Sequence, residues 1–316
     1  MKSFRTIVQV PKKANYDHRH RFHFEGSCFA ENIRRSMEQC GFDCTGGHHG
    51  ILYHPLAMAQ SIDEVLQQKK YEANDLFCSG EKWVSLSHHG SFSNVNREEA
   101  MENINALIEE GFVHLTQADV LIVTFGTSWA WKHKESNRVV GNCHRLPQQA
   151  FTKELCSVSE MAMTWMVLMG NLLEKNDQLN IVFTVSPVRH TREGMEENNL
   201  SKAQLRLLCH ELVKAFPNRA TYFPAYEIMM DDLRDYRFYE LDMIHPNGAA
   251  IEYIRDVWAQ AYVDPTAWKA ALEIEKLIRF VEHRPSAEGM TKHAEKSKEV
   301  FAQIENLKKQ SFSDGR

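Results

Sequence analysis

The sequence predicts an α/β fold in which a mainly parallel sheet is covered by helices on both faces. Two observations predict it. Short apolar or alternating runs of strand length recur at residues 20–25, 119–125 and 180–186, with helically spaced segments between and after them. Each run also stops at a breaker: Gly26, Gly126 or Pro187. Strands that alternate with helices pair in parallel, because each helix crosses over the sheet before the next strand returns.

Taken in order, residues 20–25 (His-Arg-Phe-His-Phe-Glu) alternate polar and aromatic side chains, the pattern of a half-buried strand. They run through Gly26 and Ser27 into a helical segment, Phe29 to Cys40, that stops before Gly41. Residues 46–95 are rich in Gly, His, Ser and Asn without a steady period, and read as an insertion flanking the site. A helix over 97–111 precedes Asp119 to Phe125, a continuous apolar run suited to a buried parallel strand. Helices over 157–174 and 201–215 bracket the strand Asn180 to Ser186. A short strand, Ala220 to Phe223, and helices near 225–236 and 247–262 complete a domain over residues 1–264. Beyond Asp264-Pro265, Trp268 to Val281 is amphipathic, and 284–316 is charged and poor in large apolar residues. Residues 265–316 therefore read as a helical C-terminal extension with a frayed end, available for packing or for a homodimer contact.

Composition narrows the function classes. Of 316 residues, 43% are hydrophobic and 25% charged, which excludes collagen-like, mucin-like and wholly disordered chains. With 37 Lys+Arg against 42 Asp+Glu, there is no basic excess to hold nucleic acid or an anionic membrane surface. The seven cysteines are odd in number and lack a repeated spacing, so no disulfide framework is expected. Residues 1–10 lack the apolar core of roughly 7–15 residues found in secretory signals. No run reaches the about 18–20 apolar residues of a membrane span. The expected location is cytoplasmic. The 16 histidines cluster at His18/His20/His23, His48/His49/His54 and His88/His89, which raises the question of a metal. Adjacent pairs point apart on a strand, and neither pair shows helical ligand spacing with a nearby Glu, so no metal is expected.

Two constellations can carry chemistry. Ser27 and Cys28 stand at a strand-to-helix junction, where a side chain is exposed and the helix N-terminus offers unpaired amides. Ser27 can be a nucleophile or simply an N-cap. Cys28 is its rival, since a helix N-terminus lowers a thiol pKa, or else a small buried apolar residue. Asp242-Met-Ile-His245-Pro is the second: the carboxylate can accept from one imidazole nitrogen while the other takes a proton from a nucleophile, or the segment can cap the next helix. Trp129 and Trp131 can floor a sugar or acyl pocket or belong to the core, and Arg189 can anchor a carboxylate or phosphate or make an ordinary ion pair.

The pentapeptide Gly26-Ser27-Cys28-Phe29-Ala30 is the signature for which the GSCFA family is named, and that family resembles the SGNH (GDSL-type) hydrolases. Gly126-Thr-Ser-Trp-Ala-Trp131, Asn142-Cys-His-Arg145, Thr184 to His190, Leu233 to Arg237 and Asp242 to Pro246 resemble the same family, collinearly over roughly residues 5–263. The resemblance implies a three-layer α/β/α flavodoxin-like domain. It also implies a Ser-His-Asp triad of Ser27, His245 and Asp242, needing no metal or organic cofactor. The implied activity is an esterase or O-acyltransferase acting on a small O-acyl group, an acetyl above all, of a small-molecule or glycan substrate. The SGNH oxyanion hole draws on a glycine and an asparagine. Here Gly126-Thr127-Ser128 stands where Gly-x-Asn is expected, so Asn142 and Gly50 are the substitutes, with Thr127, His144, Arg189 and His190 as pocket residues. Cys28-based acyl transfer and a catalytically silent binding protein are the alternatives.

Overall fold

A computed structural model describes residues 5–282 and 290–312. From the N-terminus, β1 (Arg21–Gly26) turns into α1 (Cys28–Gln39), and β2 (Asp43–Gly46) follows. Then come α2 (Pro55–Leu66), the hairpin β3 (Phe77–Ser79) and β4 (Lys82–Val84), and α3 (Arg97–Gln117). After β5 (Val120–Phe125), the strands β6 (Trp129–His133), β7 (Arg138–Val139) and β8 (Phe151–Leu155) form a small antiparallel sheet. The remainder is α4 (Val158–Lys175), β9 (Asn180–Val185), α5 (Met195–Ala215) and β10 (Ala220–Phe223), then a short α6 (Ala225–Glu227) and α7 (Gly248–Tyr262). Two long helices end the chain, α8 (Pro265–Glu282) and α9 (Met290–Gln310).

The central sheet has the order β10-β9-β5-β1-β2 and is parallel throughout. Counted among its own strands this is 2-1-3-4-5, the flavodoxin-like order, with the chain reversing direction between β1 and β5. Side chains alternate across the central strand β5. Leu121, Val123 and Phe125 face α4 and α5, whereas Val120 and Ile122 face α1 and α7. Both faces are therefore apolar, and the strand reads as an unbroken hydrophobic run. β1 differs: Phe22 and Phe24 join the α1/α7 core, but His23 and Glu25 on its other face are buried polar groups.

At the end of β1 the backbone of Gly26 has φ +133°, and a β-carbon there would stand 2.3 Å from the carbonyl oxygen of Thr124 on β5. Only glycine fits this approach.

The stretch 46–95 holds more order than its composition suggests. His54 caps α2, its Nδ1 accepting from the Leu56 amide at 3.1 Å, and Pro55 takes the first helical position. Nine of the twelve residues of α2 are buried, so no amphipathic stripe betrays it in the sequence. The helix expected near 225–236 is broken instead: α6 gives way to a widened turn over Ile228–Asp232, where the Leu233 amide reaches back to the Ile228 carbonyl.

The C-terminal helices pack on the domain. Ile274 of α8 meets Val300 and Ile304 of α9, and the buried Arg255 of α7 donates to Glu275 of α8 and to Ser36 of α1, both at 3.0 Å. Ser311 Oγ lies 2.7 Å from His18 Nδ1. Residues 313–316, where fraying was expected, lie outside the described residues. Among the described residues no helix is long and apolar enough to cross a membrane.

Candidate active site

A cavity of about 400 Å³ opens at the carboxyl ends of β1, β5 and β9, beside the point between β1 and β5 where the strand order reverses. Its lining includes Cys28 from the start of α1, Thr127 after β5, Arg189 and His190 after β9, and His245. Tyr53 and the half-buried Trp129 and Trp131 complete its walls.

Ser27 is not part of that cavity. It occupies the N-cap position of α1 without a side-chain capping bond, is 1% exposed, and its Oγ has no hydrogen-bond partner. It lines a separate cavity of about 380 Å³ together with Gly46, Gly47, Gly50, His89 and Phe92. The expected Ser27–His245 hydrogen bond is therefore not made. The physical reason is the junction itself: successive residues leaving a strand present their side chains to opposite sides. When Ser27 turns inward, Cys28 is the one that reaches the His245 cavity.

His245 and Asp242 do meet. Imidazole Nδ1 lies 2.6 Å from Asp242 Oδ2, while Oδ1 accepts from the amides of Ile244 at 2.8 Å and His245 at 3.0 Å. Those amides and the imidazole push the Asp242 carboxyl down to about 2. With Nδ1–H donated to the carboxylate, Nε2 is the basic nitrogen and has no hydrogen-bond partner among the described residues.

The Cys28 thiol is held above its ordinary value, not lowered as its place at a helix N-terminus suggested, because burial outweighs the donors around it. Burial pushes it up; the amides of Phe29 and of Cys28 itself, with the Lys202 cation, pull it back, and Asp242 opposes them. Lys202 is wholly buried on α5 and donates from Nζ to the carbonyls of Gly126 and Ser186, each at 2.7 Å. It thereby ties together the ends of β5 and β9 beneath the cavity. Burial pushes its ammonium down to about 7, and the neighbouring Cys28 acts the other way. Burial, then Lys202, His245 and Lys153, press His190 down to about 4, so it is neutral. Its Nε2 is buried without a partner, and its ring meets that of Tyr53 edge-on at 5.4 Å.

The other residues expected at the oxyanion hole divide. Thr127 lines the cavity, but its hydroxyl lies 3.2 Å from Ser201 Oγ and accepts from the Trp129 amide at 3.1 Å. Gly50 belongs to the Ser27 cavity, where its φ of +78° turns the loop against His89. Asn142 spends its side-chain oxygen on the His144 amide at 2.9 Å, and His144 Nε2 sits between the carbonyls of Ser85 (2.7 Å) and His88 (3.0 Å). Asn142 and His144 thus pin one loop to another and are not part of the His245 cavity lining. Sequence reasoning missed Tyr53, Lys153, Arg192 and Lys202. Nothing in their spacing announces them: Tyr53 lies in the 46–95 stretch, Lys153 on β8, Arg192 in the turn after β9, and Lys202 on the buried side of α5.

Two further histidine–carboxylate pairs lie away from this cavity. His23 bonds Glu25 at 3.0 Å and Thr45 at 3.1 Å, and the ring of His48 stacks on it at 5.2 Å. His49 bonds Glu64 at 3.1 Å and stacks on His88 at 4.1 Å, while Glu64 also accepts from Tyr71, Lys69, Arg138 and Gln60. Among the described residues, ligand atoms converge as for a metal at Glu154, Cys156 and Glu160, where Lys132 pairs with both carboxylates.

One solved structure similar to this chain is a carbohydrate esterase family 2 enzyme with a carbohydrate-binding domain from Corynascus thermopiles (Myceliophthora fergusii). It matches at 10% identity and a TM-score of 0.40, over 84% of this chain and 69% of that one. No curated protein matches the chain. A family model described as the GSCFA family matches residues 21–258, a span that contains every residue named at the cavity. The chain belongs to the GSCFA family.

Proposed function

We propose that the chain is an acyl-transfer enzyme, an esterase or O-acyltransferase, in which Cys28 is the nucleophile, His245 the general base and Asp242 its orienting partner. One observation carries the reading: Cys28, and not Ser27, lines the cavity that His245 lines. His245, its Nδ1–H held by Asp242, takes the thiol proton on Nε2. The thiolate attacks the acyl carbonyl carbon, a C–S bond forms, and the carbonyl electron pair moves onto oxygen. The amides of Cys28 and Phe29, which act on the thiol, are the donors this reading gives to that negative charge. Collapse expels the alkoxide, which leaves with the proton from His245 and gives a thioester on Cys28. Water or an acceptor hydroxyl then yields its proton to His245, attacks the thioester and regenerates the thiol. The substrate on this reading is a small O-acyl group, acetyl above all, on a polar, carbohydrate-like scaffold, with Trp129 and Trp131 as its aromatic walls.

The test uses p-nitrophenyl acetate turnover and iodoacetamide labelling of the wild type, Cys28→Ala and Ser27→Ala. Turnover lost in Cys28→Ala and kept in Ser27→Ala, with labelling mapped by peptide mass to Cys28 above the exposed Cys78 in the wild type and in Ser27→Ala, is the expected result. Turnover that survives Cys28→Ala overturns the assignment, and turnover absent from every form, the wild type included, favours a silent binding protein.

A further inference from the structure

The charge lining the cavity is at odds with the charge of the chain. The protein carries a formal −5, yet Lys153, Arg189 and Arg192 line this cavity against a single carboxylate, Glu193. Glu193 is already engaged, since Lys153 pairs with it. Among the described residues neither Arg189 nor Arg192 has a carboxylate partner. The Arg189 guanidinium lies over the Tyr239 ring at 4.8 Å, and its Nε is buried with no hydrogen-bond partner. A half-buried guanidinium with an orphaned N–H is costly unless something accepts from it. A neutral acetyl ester does not need two free forks of donors.

We infer that the ester accepted by this cavity carries an anionic group, a carboxylate or a phosphate, that docks on Arg189 and Arg192. The inference rests on the acyl-transfer reading for the word ester; the anion site itself stands on the unpaired guanidiniums. A planar guanidinium matches a carboxylate or phosphate with two parallel N–H bonds, and two of them lining one cavity supply orientation as well as charge. Lys153 lies 5.2 Å and 5.4 Å from the ring centres of Trp129 and Trp131, so the aromatic wall adjoins the cationic one. A polar scaffold can rest on the tryptophans while its anion is held by the arginines. The ionisation of neighbouring groups agrees: His190 is held neutral in part by Lys202, His245 and Lys153, and Lys153 is lowered by burial and by Arg192.

The experiment has a kinetic arm and a binding arm. In the first, wild type is offered two matched pairs of esters. 4-Acetoxybenzoate against its methyl ester places the anion on the scaffold, and mono-4-nitrophenyl glutarate against 4-nitrophenyl pentanoate places it on the acyl chain. The anionic member of one pair is preferred by about tenfold or more in kcat/KM. The preference shrinks with added salt and collapses towards unity in Arg192→Gln, an exposed position where folding is not at issue, and in Arg189→Gln. Equal rates within both pairs, or a preference untouched by both substitutions, overturn the inference. The second arm uses Cys28→Ala and measures binding of phenyl phosphate and benzoate against benzamide by calorimetry. Anion binding weakened by Arg192→Gln supports the site even if no ester is turned over, and equal binding of the neutral probe sinks it. Failure of acyl transfer and failure of the anion site are thereby read separately.

Discussion

At the mouth of the cavity, His245 and Asp242 are 45% and 46% exposed, whereas His23 and Glu25 are 1% and 3% exposed and His49 and Glu64 0% and 7%. All three are a histidine bonded to a carboxylate. They differ in what is left over. His23 has both ring nitrogens engaged, and Glu64 is surrounded by four donors besides His49. His245 keeps Nε2 free beside a thiol-bearing cavity. A proton acceptor needs an unsatisfied lone pair with access; His49 Nδ1 and Glu25 Oε2 also lack partners, but they are sealed from solvent and from the cavity. Chemical identity therefore does not separate a reactive histidine from a structural one; a free ring nitrogen that is also accessible does.

The comparison breaks most visibly at the reactive end. Cys28→Ala should lower kcat/KM by at least about a thousandfold with the unfolding midpoint unchanged, and His245→Ala should do nearly the same. Should His23→Gln abolish turnover in a fully folded protein while His245→Ala does not, the contrast between the two regions is wrong. The buried end is next. Burial would raise the Glu64 carboxyl, but His49, Lys69 and Tyr71 hold it well below the usual carboxylate range. Glu64→Ala leaves those partners unanswered, and we expect a loss of about 2–4 kcal/mol by urea titration. Asp242→Asn should leave the midpoint where it is and lower the rate.

Acid separates the regions further. Burial presses His48 down to about 3 and His54 to about 4. The unfolded chain takes up these protons near 6.5 and the folded chain refuses them, so stability falls as pH drops from about 6.5 towards those values. Each such histidine contributes up to about 1.4 kcal/mol per pH unit. His54→Gln should flatten the slope of stability against pH, and an unchanged slope would mean that His54 titrates freely in the folded protein. The smallest effect belongs to Lys202→Met. Without that cation the Cys28 thiol titrates higher, and its alkylation by iodoacetamide slows at fixed pH; an unchanged alkylation profile removes Lys202 from the electrostatics of the site.

Much of this architecture was legible because its cause is periodic. β5 and β9 are buried on both faces and announce themselves as apolar runs, and the 2-1-3-4-5 order agrees with the fold implied by the family resemblance. α2 was invisible for the opposite reason, being buried on nearly every side with a sequence that carries no stripe. The antiparallel strands β6 to β8 pair only with one another, at a spacing set by loops. At the site, the sequence located the strand-to-helix junction and the Asp-x-x-His turn. It did not reveal which of two adjacent side chains, Ser27 or Cys28, looks into the cavity, since that depends on a single backbone rotation. Lys202 was equally hidden, because a lysine on a helix is ordinarily solvated and only the carbonyls of Gly126 and Ser186 make this one otherwise.

The missing β-carbon of Gly26 has a consequence for which sequences this junction tolerates. Any side chain at that position forces β1 away from the Thr124 carbonyl, and the strain has an easy outlet two residues on, where the chain has just left the sheet. Gly26→Ala then disturbs the aim of the Cys28 sulfur as well as the strand that carries Phe22 and Phe24 into the core. Such a chain would lose stability at the β1–β5 pairing and lose reactivity at Cys28 together, so position 26 is kept bare on both counts.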